Sequence, residues 1–160
     1  MSHNKQMTLP DILILVAPHF EEKAVVYCLS TLRQQGLLVS LVSITPGKVQ
    51  SRRGMSLCPD ASLSEMEDLL ATAPADKHQL VLLAGGADCA ATILADPRTH
   101  YLVQRVLQRG GWLATMAETY ELVRETGLLH ADWLDRFLRQ GSGVETAVFV
   151  QQIVDCMAAI

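Results

Sequence analysis

With 160 residues, 49% of them hydrophobic and 19% charged, the chain can bury the core of one domain and is too apolar to be disordered. A net charge of −4 argues against nucleic acid or an anionic membrane surface as the main partner. The longest apolar runs, such as Ile12 to Ala17, fall far short of the roughly 20 residues a bilayer span needs, and the opening MSHNKQMTLP has no apolar stretch or cleavage site, so a cytoplasmic protein is expected.

DILILVA, from Asp11 to Ala17, is a continuous apolar run of the kind that forms a strand buried on both faces. Helical spacing follows from Ala24 to Gln35, with Val25, Leu29 and Leu32 on one face and Gly36 as the stop. Leu37 to Ile44 reads as a second strand, so the chain opens as a right-handed βαβ unit. Thr45 to Pro59 carries Pro46-Gly47 and Arg53-Gly54 and predicts a small hairpin or short strands. Arg52-Arg53, the one basic pair, reads there as a solvated loop.

Ser62 or Ser64 caps a helix running to about Thr72. LVLL (Leu80 to Leu83) is the next buried strand and ends in Ala84-Gly85-Gly86. A short helix is expected over Ala90 to Leu94. Another opens at Asp96-Pro97 and is closed by Gly110-Gly111. Trp112 to Met116 predicts a fourth core strand that breaks sharply into a helix from about Thr119 to Glu125. Ala131 to Gln140 suits a helix or a last strand. Val144 to Ala158 suits a closing helix with Val148, Ile153 and Met157 on its apolar side. Strands alternating with helices imply one α/β domain over 1–160, with 1–10 a flexible leader.

Such sheets bind ligands at the carboxyl ends of their strands. Three loops qualify: Pro18 to Lys23, Gly85 to Cys89, and Ala117 to Tyr120. Gly85-Gly86 permits close backbone approach and free N–H groups, or simply makes a tight turn. Glu21-Glu22 supplies a carboxylate pair, or favourable charge at a helix start. Cys28, Cys58, Cys89 and Cys156 are widely spread, without CxxC spacing, and the five histidines are equally scattered. Free thiols, no metal site and no cofactor are expected. Cys89 can border the pocket or be a small buried hydrophobe, while Cys28 and Cys156 read as core. Thr115 and Thr119 lie near the elbow without a His or Lys to activate them.

Read together, ILILVAPHFEEKAV, SLCPDASL, VLLAGGADCA, GGWLATMAETYELV and QGSGVETAVFVQQIVD resemble the ThiJ/PfpI superfamily, in the expected order. The resemblance spans Asp11 to Gly127 and, more loosely, Gly141 to the C-terminus. It implies a flavodoxin-like three-layer sandwich with a mainly parallel sheet, related to class I glutamine amidotransferases. It also implies a homodimer, with a contact near Cys58, and stress-related glyoxalase, deglycase, chaperone or peptidase activities. Active members carry a Cys on the strand-to-helix elbow, a Glu partner in the first loop, and an oxyanion pocket at the second Gly of the GG loop.

This chain departs from that pattern at the chemistry. The resemblance places Ala117 at the elbow Cys and Ala24 at its Glu partner. Glu118 and Thr119 follow where small residues are usual, and His19 stands for a usual Gly. The pocket is then vestigial, made of His19, Glu21, Glu22, Ala24, Gly85, Gly86, Ala117 and Glu118. The expectation is a catalytically inactive member that binds a ligand or a protein. The alternative is a glyoxalase- or deglycase-type enzyme with a relocated thiol, Cys89, served by Glu22 or His19. Ala117 is expected to hold the strained backbone of a family nucleophile. The stretch after Gly127 is shorter than in relatives, where it supplies a His near the nucleophile; His130 either replaces that His or is a surface residue.

Overall fold

Residues 8–159 are described in the computed structural model. β1 (Ile12–Val16) is completely buried, as an unbroken ILILV run requires of a strand covered on both faces. It pairs in parallel with β2 (Val39–Ser43) on one side and β6 (Leu80–Leu83) on the other. β5 (Ala61–Ser62) extends the sheet beyond β2, and β7 (Trp112–Thr115) and β8 (Phe137–Arg139) extend it beyond β6. The order is β5-β2-β1-β6-β7-β8, and every pairing in it is parallel. Only the small hairpin of β3 (Val49–Gln50) and β4 (Ser56–Leu57) is antiparallel, as the Pro-Gly and Arg-Gly punctuation predicts.

The helices are α1 (Glu22–Gln34), α2 (Leu63–Ala71), α3 (Ala87–Ala95), α4 (Pro97–Gln108), α5 (Tyr120–Glu125) and α6 (Thr146–Ala158). α1 packs on α6, while α4 packs on α2 and α3, and α3 on α5. Right-handed crossovers place these two groups on opposite faces, which completes the flavodoxin-like three-layer sandwich. Among the described residues, no helix is long and apolar enough to cross a membrane.

Local chemistry accounts for the helix starts. Ser62 accepts from the Glu65 N–H at 3.2 Å while the Glu65 carboxylate accepts from the Ser62 N–H, a reciprocal capping box. Asp96 caps α4 ahead of Pro97, and its own carboxylate is gripped by Arg98. The helix ends are tied by arginines: Arg109 donates to the carbonyls of Leu70, Ala73 and Pro74, closing the exit of α2.

Several expectations are corrected. α1 begins at Glu22, not Ala24, because the Glu21 carboxylate caps it. α3 begins at Ala87, directly after Gly86. Ala131 to Gln140 is neither one helix nor one strand: Ala131–Arg136 forms a 3-10 turn and the chain then straightens into β8. Val148 is exposed, since α6 turns Phe149, Val150 and Ile153 inward. Cys156 is only half-buried, whereas Cys28 lies in the core. Residues 1–7 of the expected flexible leader lie outside the described residues; Pro10 is buried and Leu9 packs on the core.

Candidate functional site at the carboxyl edge of the sheet

The strand order reverses between β1 and β6, and the carboxyl ends of strands at such a reversal are where open α/β sheets hold their ligands. The loop after β1 turns through His19, at φ 69, where a left-handed conformation stands in for the usual glycine. Phe20 anchors this loop in the core. The loop is also stitched to the hairpin: the His19 N–H donates to Gln50 O, and the Arg52 N–H to Phe20 O. Beside it, the Glu21 N–H donates to Gly85 O at 3.0 Å. Gly86 sits at φ 100, and a Cβ there would lie 2.8 Å from His19 O, so only glycine lets these two loops touch.

The third loop leaves β7. The strained residue is Glu118, at φ 75, and not Ala117. His19 and Glu118 are the only non-glycine residues with positive φ among those described. The tip of the elbow therefore presents a carboxylate, one position beyond the expected site. β8 supplies the fourth wall through Gln140, which is buried. Its Oε1 accepts the Ala117 N–H at 3.2 Å, and its Nε2 donates to Val144 O at 3.0 Å and to Thr146 Oγ1 at 3.3 Å. Nothing in the sequence flagged this glutamine beyond its place before Gly141-Ser142-Gly143.

Glu21, Ala24, Gly85, Gly86, Ala117 and Glu118 are brought together around a cavity of about 150 Å³, completed by Met116, Gln140 and Thr146. His19, Glu22 and Cys89 do not line it. His19 instead packs its carbonyl against Gly86. The Glu21 carboxylate is committed to the Lys23 and Ala24 N–H groups as the cap of α1, and the Arg52 guanidinium stands 4.0 Å away. Arg53 faces Glu22 at the same distance, so the basic pair, though exposed, is directed at the acidic pair.

Burial raises the affinity of Glu22 for a proton. Hydrogen bonding from its own backbone, Ser51 and Arg53, with the Arg53 charge, outweighs burial and holds the carboxyl below its ordinary value of 4.5. A depressed carboxylate stabilises the fold above its unfolded value, and the contribution fades as pH falls through the folded one. The stability gap between the wild type and Glu22→Gln should thus stay constant above about pH 5 and shrink in more acid solution. Urea titrations at a series of pH values measure it, and a gap that widens in acid contradicts this account.

Cys89 is fully buried, and desolvation pushes its thiol up to about 11 despite a hydrogen bond to Ala17; the Cys28 thiol is pushed up to about 12. Neither is a poised thiolate. Native protein treated with iodoacetamide at pH 8 should be alkylated at exposed Cys58. Cys89 should react roughly a hundredfold and Cys28 roughly a thousandfold more slowly than an ordinary exposed thiol until the chain unfolds. Peptide mapping gives the order, and early modification of Cys89 would revive it as a nucleophile. Thr119 is buried and donates to Ala84 O at 2.8 Å. His130 is exposed and lies edge-on to Trp133, so it belongs to the surface turn. Among the described residues, no group of three or more His, Cys, Asp or Glu is placed to hold a metal ion.

Residues 10–134 match the DJ-1/PfpI family. No curated protein sequence matches significantly. Solved structures share the fold. A DJ-1 superfamily protein from Salmonella typhimurium, crystallised as a cysteine-to-alanine mutant, superposes with a TM-score of 0.75 at 19% identity, over 94% of this chain and 91% of that one. Oxidized Toxoplasma gondii DJ-1 gives 0.74 at 16% identity over 92% and 90%. Drosophila melanogaster DJ-1beta gives 0.74 at 17% over 96% and 92%.

Proposed function

This chain belongs to the DJ-1/PfpI family, and from that premise we propose that it is a catalytically inactive member, folded as one domain, that acts by holding a ligand at the elbow. One observation carries the reading. The elbow tip is Glu118, and the neighbouring Ala117 N–H is already bonded to Gln140. A thiolate mechanism needs a nucleophile at that tip and free N–H donors for the oxyanion it creates. The tip has no sulfur, the Glu partner is replaced by Ala24, and the nearest family-like loop carries a thiol that burial keeps protonated. The reading extends to a cytoplasmic homodimer with the exposed segment around Cys58 in its contact, which the surface position of Cys58 supports.

Incubation of the reduced protein with methylglyoxal and glyoxal tests inactivity directly. The wild type should consume neither faster than buffer alone. An Ala24→Glu, Glu118→Cys double variant restores the thiol and its acid but leaves the Ala117 N–H on Gln140, so it should gain at most slow turnover. Wild-type consumption at enzymatic rates would overturn the proposal.

A further inference from the structure

A second cleft adjoins the elbow. It encloses about 420 Å³ and shares Ala117, Glu118 and Gln140 with the elbow pocket. Tyr120, Glu121, Arg139 and the Gly141-Ser142-Gly143 turn complete its lining. Glu118 and Arg139 bring opposite charges to this space. Glu118 stands at φ 75, a conformation that a bulky residue rarely adopts and that persists where the surroundings impose it. The Arg139 guanidinium carbon lies 4.1 Å from the centre of the Tyr120 ring, and Tyr120 in turn stacks on Phe137 with centroids 5.8 Å apart. This cation–π contact holds the guanidinium against the ring, and the N–H groups that point away from it can form a bidentate bond.

Among the described residues, Glu118 and Arg139 form no ion pair, with each other or with a third group, whereas the cleft's other carboxylate, Glu121, is held by Arg124 at 2.8 Å. A plain anion entering the cleft meets Arg139 and is repelled by Glu118. A plain cation meets the reverse. A molecule carrying both charges satisfies both walls.

We propose that this cleft binds a small aliphatic zwitterion, a carboxylate and a protonated amine joined by a short chain, with the carboxylate on Arg139 and the ammonium on Glu118. The inference rests on the reading of the protein as a ligand-binding family member and names the ligand class.

The test is calorimetric titration with glycine, β-alanine, 4-aminobutyrate and 5-aminopentanoate, a series in which only the separation of the two charges changes. One member should bind best. Removing either of its charges, as in butyrate or butylamine for the four-carbon case, should weaken binding roughly tenfold or more. Arg139→Gln and Glu118→Gln should each do the same. Both side chains are exposed, and unchanged melting of the two variants confirms that the fold is intact. The proposal falls if no member of the series binds, or if the variants bind as tightly as the wild type. It also falls if butyrate binds as well as its amino derivative; the cleft is then an anion site, and the ligand-binding reading survives. Turnover of glyoxal by the wild type would remove that parent reading without altering the titrations.

Discussion

Gly86→Ala should lower the melting temperature by roughly 5–20 °C and abolish ligand binding at the elbow. Gly86 occupies φ 100, and an alanine Cβ would stand 2.8 Å from His19 O and 3.3 Å from the Glu21 N. Both atoms are backbone, so no side chain can swing aside. The left-handed conformation costs about 1–3 kcal/mol for a residue with a Cβ, and forcing the loops apart costs about 1–3 kcal/mol more. At roughly 2–4 °C per kcal/mol for a chain of this size, the melting shift follows. The loops that must separate also form the wall of the 150 Å³ cavity, so stability and binding should fall together. Calorimetric melting measures the first. A shift of under about 2 °C would show that the loops yield freely and that their contact is incidental.

The second large effect belongs to Gln140→Leu. Leucine fills similar space but removes the acceptor for the Ala117 N–H and both donors to the following turn. Buried polar groups left without partners cost about 1–3 kcal/mol each, so a loss of about 2–4 kcal/mol is expected after partial relaxation. Gln140→Glu retains an acceptor for Ala117 and loses the donors, so it should fall between wild type and Leu. Hydrogen exchange separates this from generic core damage: the Ala117 amide should lose protection in the Leu variant and keep it in the Glu variant. Equal protection in all three would remove Gln140 from the elbow's support.

The frame of the molecule was readable because its strongest signals are periodic and local. ILILV and LVLL are unbroken apolar runs, the pattern a strand covered on both faces requires, and WLAT departs from it only at Thr115. Ser62 with Glu65, and Asp96 with Pro97, are complete helix starts written within a few residues. The site was legible only in part. Gly85-Gly86 announced itself, but the strained tip was expected at Ala117 and lies at Glu118. A resemblance aligns side chains and carries no backbone angle, and glutamate is a poor advertisement for a left-handed turn. Gln140 was invisible for a different reason. Its three partners, Ala117, Val144 and Thr146, meet only once β8 has docked beside β7, and a lone glutamine ahead of a glycine turn has no signature. Arg52 and Arg53 are exposed, as their reading as a solvated loop expects; what the sequence could not show is that they face Glu21 and Glu22, thirty residues upstream.

The central place of β1 has a bearing on biosynthesis. This strand leaves the ribosome before either neighbour, and β6, the partner on its second edge, starts only at Leu80. At about 5–20 residues per second, ILILV waits roughly 3–14 s with that edge unpaired. The early β1-α1-β2 unit spends this interval as a nascent chain with an exposed, wholly apolar edge, open to pairing with another copy on the same message. The strand that makes the finished sheet secure is thus the hazard of the unfinished one.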